Sequence, residues 1–243
     1  MAGLDLEKLI ESDFLSMPLR PRTLTYYTVR TTILEAVRRE TASFHGTVLD
    51  LGCGFMPYRR VVESNPAVRR YVGLDLEQPT YYAGVEPDMK WDGVRIPADD
   101  GSFDCVMATE FLEHYPEPEK VLTEVRRVLK PSGRFFATVP FIWNLHELPY
   151  DEYRFTPISL ERCLKTAGFS EIVISPLGGW NIALAQMIGL WTGFAPMDRL
   201  VRRLMQILVF PIYFLLVKTD RKPDGFDGFG RSMFPGLSAA ARR

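Results

Sequence analysis

Short apolar runs of strand length alternate with helical patterns through the middle of the chain. Most of these runs are apolar at nearly every position and are bounded by polar, proline or glycine residues. Such runs are typical of parallel strands that are covered on both faces by helices. The predicted strands are 47–51, 71–74, 89–91, 103–108, 134–140 and 170–174, and the predicted helices are 23–39, 58–64, 117–129 and 157–167.

The alternation predicts an α/β fold with a doubly wound, mostly parallel sheet. We expect residues 1–45 to form an N-terminal helical segment or lid and residues 46–180 to form the α/β core. Residues 181–225 are apolar and helical in pattern, which predicts a helical cap inserted before the last strand. Residues 226–243 then supply a turn and that strand, although their end has the composition of a small-residue tail as well.

The longest apolar run, residues 207–217, is interrupted by Pro211. A helix that spans a bilayer needs about 20 apolar residues, so this run is too short. We interpret it as a buried helix or a cap over the core. The alternative is an element at a membrane interface, because basic residues lie on both sides of the run. These residues are Arg199, Arg202, Arg203 and Lys218.

Charge and cysteine content exclude some classes of protein. The chain has 243 residues, with 29 basic and 30 acidic side chains, and it shows no basic stripe of the kind that binds nucleic acid. Its 3 cysteines lack C-x-x-C spacing, which indicates free thiols in a reducing cytoplasm. No secretory signal pattern begins the chain. We therefore expect a cytoplasmic protein, peripheral to a membrane if 207–217 is interfacial.

Two neighbouring strands end on an acidic residue. Asp50 is followed by Gly52 and Gly54, and Asp75 comes about 20 residues later, the distance at which a second-strand acid reaches ribose hydroxyls. The third glycine of G-x-G-x-x-G is absent, so the pyrophosphate cradle of a dinucleotide site is not encoded. A ligand that has a ribose and no phosphate fits better, and S-adenosylmethionine is such a ligand.

Further motifs follow in a fixed order. They are the run 48–54, Asp75, Ser-Phe-Asp-Cys-Val at 102–106, Glu-Phe-Leu-Glu-His at 110–114 and the helix stop Leu-Lys-Pro-Ser-Gly at 129–133. In this order, from about residue 48 to residue 174, the chain resembles the class I S-adenosyl-L-methionine-dependent methyltransferases, particularly the type 11 group. The resemblance implies a Rossmann-like sheet of seven strands with the last antiparallel, so that 237–241 would form that strand.

The resemblance also implies roles for residues at the strand ends. Asp50 and the loop Gly52, Cys53 and Gly54 would hold the methionyl part of the cofactor. Asp75 would bind the ribose hydroxyls, with Leu76 against the adenine and Asp92 and Gly93 at the adenine edge. Glu110 and Phe111 would lie near the sulfonium. For Asp92, a turn-forming Asp-Gly pair is an equally good interpretation, and Asp104 is expected to support the fold.

The loop after the fifth strand carries the candidate chemistry for the acceptor. Sheet topology places this loop where the acceptor binds, and an oxygen acceptor needs a base to remove its proton. We predict that His146 is that base and that Glu147 or Asp151 orients it. The residues His114, Tyr153 and Arg154 are candidates for substrate binding, with a purely structural role, including a local salt bridge by Arg154, as the alternative.

The loop pattern His-x-x-Pro-x-Asp-x-x-Arg resembles methyltransferases of glycan and natural-product pathways. We therefore expect O-methylation of a hydroxyl on a small molecule of the sugar, glycan or natural-product type. The alternatives are C- or N-methylation of a lipid-like or quinone-like acceptor, and a non-catalytic cofactor-binding subunit. No metal-ligand cluster stands out. The apolar segment 181–218 suits a lipid-linked acceptor, a homodimer interface or peripheral membrane contact equally well.

Overall fold

A computed structural model describes residues 6–77, 85–223 and 232–243 of the chain. They form a seven-stranded sheet in the order β3-β2-β1-β4-β5-β7-β6. Strands β1 to β5 are parallel, and β7 runs antiparallel between β5 and β6. The predicted fold class is confirmed. The strands are β1 (Gly46–Leu51), β2 (Val68–Leu76), β3 (Met89–Trp91), β4 (Phe103–Thr109), β5 (Leu129–Pro140), β6 (Ser170–Pro176) and β7 (Gly236–Arg242).

Helices cover both faces of the sheet. On one face, Val121, Leu122 and Val125 of α4 are buried against β4 and β5. On the other face, Ile33 and Val37 of α2 belong to a second buried cluster with residues of β1 and β4. The helices are α1 (Leu6–Ile10), α2 (Leu24–Thr41), α3 (Arg59–Glu63), α4 (Pro118–Val128), α5 (Pro157–Thr166), α6 (Trp180–Phe194) and α7 (Arg199–Thr219).

The strand pairing brings the predicted acidic strand ends to one edge of the sheet. Asp50 of β1 pairs in register with Gly73 of β2 and with Met107 of β4. Because the three strands are parallel, the residues that follow Asp50, Gly73 and Met107 emerge side by side. The site described below lies at this edge.

Two strand boundaries differ from the prediction. Strand β2 begins at Val68, before the predicted residue 71, because Val68 and Arg70 pair with the start of β1. Strand β5 begins at Leu129, within the predicted helix stop, because Leu129 pairs with Phe103. Asp104 supports this region, as expected, since its carboxylate accepts from the Lys130 ammonium at 2.9 Å and from the Thr47 amide at 2.8 Å.

The small residues near the C-terminus form the last strand, as the resemblance implies. In β7, Leu237, Ala239 and Ala241 are buried between β5 and β6. Small side chains are sufficient here because neighbouring strands and helices already fill the space around β7. The predicted turn over residues 226–231 lies outside the described residues.

The expectation that residues 207–217 are buried is wrong. Helix α7 continues through Pro211 over 21 residues, and its buried residues are Gln206 and Tyr213. Its leucines and isoleucines are mostly exposed; Leu208, for example, is 67% exposed. By length and composition α7 is also apolar enough to cross a membrane, which the shorter run alone did not suggest.

Helix α6 packs closely on α2, and two glycines of α6 permit this contact. A Cβ atom at Gly189 would overlap the carbonyl oxygen of Leu24, and one at Gly193 would overlap the side chain of Thr25. The close approach buries Leu24 of α2 and Ala185 of α6 in one cluster with Tyr213 of α7.

We expect Gly189→Ala to destabilise the protein. Alanine normally stabilises a helix interior by up to about 1 kcal/mol relative to glycine. Here the backbone of α2 must move to admit the methyl group, at a cost of about 1–3 kcal/mol. Urea unfolding measures the balance, with Leu184→Ala on the exposed face of α6 as the control. An unchanged or raised midpoint for Gly189→Ala would show that the helices are not in close contact.

Candidate cofactor and acceptor site

The loop after β1 turns sharply at two glycines. The amides of Gly52 and Cys53 donate to the Leu74 carbonyl, at 2.9 and 3.2 Å, which ties the loop to β2. Gly52 has a φ of +69°, and a Cβ there would overlap the ring of Phe111. Gly54 has a φ of +51° and open space where a side chain would be. The backbone at Gly54 is therefore accessible to a ligand.

Asp75 connects the end of β2 to this loop. Its Oδ2 accepts from the Gly54 amide at 2.8 Å, and its Oδ1 accepts from the Leu76 amide at 2.7 Å. Burial raises the pKa of Asp75, although the two amide hydrogen bonds oppose this effect. A carboxylate accepts more than one hydrogen bond at each oxygen, so Asp75 retains capacity for ligand hydroxyls.

Asp50 lies beneath the loop. Its side chain is buried, and one carboxylate oxygen accepts a hydrogen bond from the Tyr71 hydroxyl. Among the described residues the other oxygen has no partner. Burial raises the pKa of Asp50 to about 7, although Tyr71 counteracts part of that rise.

A cavity of about 570 Å³ opens beside the loop. We call it the loop cavity. This volume is within the range of about 300–1,000 Å³ that is typical of small-molecule sites. Its lining includes Gly52, Cys53, Gly54, Phe14, Arg30, Tyr58, Thr109, Glu110 and Glu147.

Three residues predicted to contact the cofactor have other surroundings. Phe111 is buried behind Gly52 and packs beside Trp91, so it supports the loop rather than lining the loop cavity. The Asp92 carboxylate accepts from the amides of Val94 and Arg95, at 2.8 and 3.1 Å, in a turn. Gly93 has a φ of +82°, and a Cβ there would lie 3.2 Å from Leu76. Asp92 thus has the turn-forming role that was the alternative interpretation.

Glu110 lies at the end of β4 in a strained backbone conformation, with a φ of +50°. Its amide donates to the Thr138 carbonyl at 3.0 Å, and its Oε1 is a buried atom that lacks a partner among the described residues. Burial raises the pKa of Glu110 to about 7. Strain and a buried acid together are features of functional sites.

A second cavity, of about 410 Å³, lies on the other side of Glu110. We call it the histidine cavity. Its lining combines aromatic residues, two histidines and charged groups that it shares with the loop cavity. The lining residues are Tyr26, Val29, Arg30, Ile33, Glu110, His114, Trp143, Asn144, His146, Glu147 and Phe194.

His146 is held by Asp151. The Asp151 Oδ2 lies 3.2 Å from the His146 Nδ1 and accepts from the His146 amide at 3.0 Å. The Asp151 side chain is fully buried and is also paired with Arg154, whose NH1 and NH2 lie 2.7 and 2.9 Å from its two oxygens. The Arg154 guanidinium holds the pKa of Asp151 well below its usual range. Asp151 is therefore placed to accept from a His146 Nδ1–H, and in that tautomer Nε2 is a hydrogen-bond acceptor.

The other candidate residues of the acceptor site are in contact mainly with backbone carbonyl groups of the protein. Arg154 also donates to the Asn144 carbonyl at 2.9 Å, and the Tyr153 hydroxyl donates to the Pro116 carbonyl at 2.8 Å. Glu147 has an exposed side chain that lines both cavities and does not orient His146. The His114 Nδ1 lies 3.1 Å from the Tyr150 carbonyl, and its ring is 4.7 Å from that of His146.

The fold also brings Glu113 to the two histidines. Ligand atoms of Glu113, His114 and His146 all lie within 4.8 Å of one another, which is close enough to hold a metal ion. The sequence did not reveal this group, because His146 is far from the other two along the chain. Burial and the nearby Glu110 raise the pKa of Glu113 well above its usual value.

Several lining residues were not predicted. Arg30 of α2 lines both cavities, with its guanidinium 3.7 Å from the centre of the Phe14 ring. The rings of Tyr26, Trp143 and Phe194 line the histidine cavity together, with centroids 5.9–6.4 Å apart. No local motif distinguishes Arg30 or Phe194 from ordinary helix residues.

Comparison with known proteins identifies the domain. Residues 49–137 match the family model described as "Methyltransferase domain". The chain thus contains a segment that matches methyltransferase domains, and it has the fold of the class I S-adenosylmethionine-dependent methyltransferases. A solved SAM-dependent methyltransferase from Archaeoglobus fulgidus superimposes with a TM-score of 0.55 at 18% identity, over 98% of this chain and 100% of that one, and so shares the fold.

Two relatives are similar to part of the chain. The sterol 24-C-methyltransferase erg6 of Aspergillus fumigatus is 39% identical over 126 residues, 47% of this chain and 33% of the relative. The ubiquinone biosynthesis O-methyltransferase of Dechloromonas aromatica is 36% identical over 103 residues, 37% of this chain and 43% of the relative. The matched segments thus cover less than half of either relative.

The residues present fit S-adenosylmethionine, the cofactor of this family. The open space at Gly54 admits close backbone approach, and Asp75 offers its carboxylate at the adjoining strand end. The unpartnered carboxyl oxygens of Asp50 and Glu110 suit a ligand that carries positive charge on its sulfonium and amino groups. In this arrangement Asp75 would hold the ribose, and the loop 52–54 would hold the methionyl part.

We expect Asp75→Ala to weaken binding of S-adenosylhomocysteine by about 10- to 100-fold, because hydrogen bonds to a charged group contribute about 1.5–3 kcal/mol. Isothermal titration calorimetry measures the affinity. Glu77→Ala, two residues further along and exposed, is the matched control and should bind normally. Equal affinity for both variants would exclude Asp75 from the cofactor site.

We expect the cofactor-free protein to lose stability as pH rises. The pKa of Asp50 is about 7 in the folded protein. Its value in an unfolded chain is about 3.9, so the folded state retains a proton that the unfolded state has released between about pH 4 and pH 7. Stability from this group is therefore complete at low pH and falls by a few kcal/mol, at about 1.4 kcal/mol per pH unit, across that window. Urea unfolding of Asp50→Asn should show a flatter dependence than wild type, and parallel profiles would contradict the assignment.

Proposed function

We propose that this protein is an S-adenosylmethionine-dependent methyltransferase that methylates a hydroxyl group of a small molecule bound in the histidine cavity. The observation that carries the proposal is that the two cavities adjoin. Both are lined by Arg30, Glu110 and Glu147, and the histidine cavity is also lined by His146. A donor in one cavity and an acceptor in the other would meet at Glu110.

The cofactor supplies a methyl group on a sulfonium, together with a good leaving group. The protein therefore has to align the acceptor and to accept its proton. His146 suits the second task, because the ionised Asp151 fixes its Nδ1–H and leaves Nε2 as the acceptor of a proton from the substrate hydroxyl. A base that is held in orientation by a third group is also found in other enzyme active sites.

The surroundings of His146 assist alignment. Trp143, Phe194 and Tyr26 surround the histidine cavity with aromatic surface, which favours an acceptor with apolar faces or sugar-ring faces. Arg154 holds Asp151 in place and so acts as a positioning residue rather than a substrate ligand. The similarity to an O-methyltransferase of ubiquinone biosynthesis supports oxygen as the methylated atom.

We expect His146→Gln and Asp151→Asn each to lower the rate of methyl transfer by about 100- to 10,000-fold, as is typical of the loss of general-base catalysis. Binding of S-adenosylhomocysteine should remain unchanged, because neither residue lines the loop cavity. The assay follows radiolabelled methyl groups from S-adenosylmethionine into a metabolite extract, before and after acetylation of its hydroxyl groups. His45→Gln, in an exposed turn, is the matched control.

Three results would overturn parts of this proposal. Labelling that survives acetylation would show that the methyl group is not transferred to a hydroxyl group. Normal turnover by His146→Gln would exclude His146 as the general base. Loss of activity on chelation, with recovery on adding zinc, would make His146 a metal ligand together with His114 and Glu113.

A further inference from the structure

Helix α7 presents a continuous apolar stripe. Its exposed residues recur every three or four positions and lie on the helix face opposite the buried Gln206 and Tyr213. A stripe of this size on a folded protein marks an interaction surface. The α7 stripe consists of Leu200, Leu204, Ile207, Leu208, Ile212 and Leu215, which are 53–69% exposed.

Both ends of α7 are tied to α6, so the helix lies along the domain. Near its start, Arg202 donates to the carbonyls of Thr192 and Ala195 at the end of α6, both at 3.0 Å. After its end, the Asp220 carboxylate accepts from the amides of Gly179 and Ile182, at 2.8 and 3.0 Å. Although α7 is long enough to cross a bilayer, a crossing would break both sets of contacts. A helix fixed at both ends in this way can lie in a membrane surface.

A basic cavity adjoins the α7 stripe. This cavity, which we call the arginine cavity, has a volume of about 390 Å³. It is lined by Arg20, Arg22 and Arg203 together with Ile207, which belongs to the stripe. Within the described ranges, none of the three guanidinium groups is paired with a carboxylate. Positive charge beside exposed apolar side chains is complementary to a bilayer that contains anionic phospholipid.

The apolar surface continues from α6 to the histidine cavity. Helix α6 has its own exposed residues at spacings of three and four, including Leu184, Met187, Trp191 and Phe194. Phe194 is 47% exposed and also lines the histidine cavity, where its ring lies 6.3 Å from that of Tyr26. A molecule anchored in a membrane beneath α6 and α7 would therefore reach His146 along apolar surface.

We propose that the α7 stripe and the arginine cavity dock on a membrane containing anionic phospholipid, and that the methyl acceptor is the polar head of a lipid-anchored molecule. The second part rests on the proposed function; the first part does not. A second copy of the chain is a poorer occupant. A two-fold interface pairs one patch with its own copy, and α7 has no acidic residue that could pair with the arginines of a second copy.

The test is sedimentation of the full chain with mixed phosphatidylcholine–phosphatidylglycerol vesicles and with pure phosphatidylcholine vesicles. We expect binding to the mixed vesicles, at least tenfold weaker binding to the pure ones, and loss of binding in Leu204→Glu/Leu208→Glu. The triple variant Arg20→Gln/Arg22→Gln/Arg203→Gln should bind the mixed vesicles on the order of 100-fold more weakly. The reason is that each basic residue near an anionic surface raises the binding affinity about fivefold.

Matched controls place the same changes elsewhere on the surface. Ile158→Glu introduces a carboxylate at an exposed apolar position of α5, and Arg69→Gln/Arg70→Gln removes two charges at β2. Both should bind vesicles as wild type does. The docking proposal is overturned if the wild type does not bind mixed vesicles, if the α7 variant binds normally, or if light scattering shows a dimer that Leu204→Glu/Leu208→Glu dissociates.

Cofactor binding separates this proposal from the proposed function. The α7 and arginine variants should retain wild-type affinity for S-adenosylhomocysteine in calorimetry, since none of the changed residues lines the loop cavity. Vesicle binding without cofactor binding would leave the docking surface standing and would refute the methyltransferase activity. Labelling of a water-soluble extract fraction, with none in the lipid fraction, would refute the lipid-anchored acceptor alone.

Discussion

The parallel pairing of β1 with both β2 and β4 is the constraint on which the site depends. This register places the ends of the three strands at one edge of the sheet, so that Asp50, Asp75 and Glu110 surround one loop. The hydrogen bond from the Gly54 amide to Asp75 then fixes the loop against β2. A shift of one residue in any of these strands would turn an acidic side chain to the opposite face of the sheet. Both cavities therefore require the correct register of the central strands.

The site concentrates acidic groups in a buried region, and that arrangement opposes stability. Burial raises the pKa values of Asp50 and Glu110 to about 7 and that of Glu113 well above its usual value. Asp151 shows the opposite behaviour, because Arg154 stabilises its charge. The first three carboxyl groups can thus ionise when a positively charged ligand binds beside them. The carboxylate of Asp151, in contrast, keeps its charge next to His146. The contrast between them follows from which carboxyl has a guanidinium partner.

The sequence was sufficient to predict the sheet and the cofactor loop, because both are encoded locally. Strand-length apolar runs, the paired glycines at 52 and 54 and the acid at 75 are each visible within a few residues. The proximity of Glu113 to His146 was not predictable, since it results from how two distant loops meet. The exposure of α7 was only the alternative prediction, because a buried helix and an exposed one can have the same apolar composition. Only the position of α7 relative to α2 and α6 distinguishes them.

The two cavities differ in how much of their lining lies inside the segment that matches the family model. The family match covers residues 49–137, which contain the loop, Asp75 and Glu110. Most of the histidine cavity comes from outside that range, from Tyr26 and Arg30 of α2, from Trp143 and His146, and from Phe194 of α6. If the histidine cavity binds the acceptor as proposed, we expect α2, the loop after β5 and α6 to set the choice of acceptor. Helix α6 also carries exposed apolar residues that lead to this cavity.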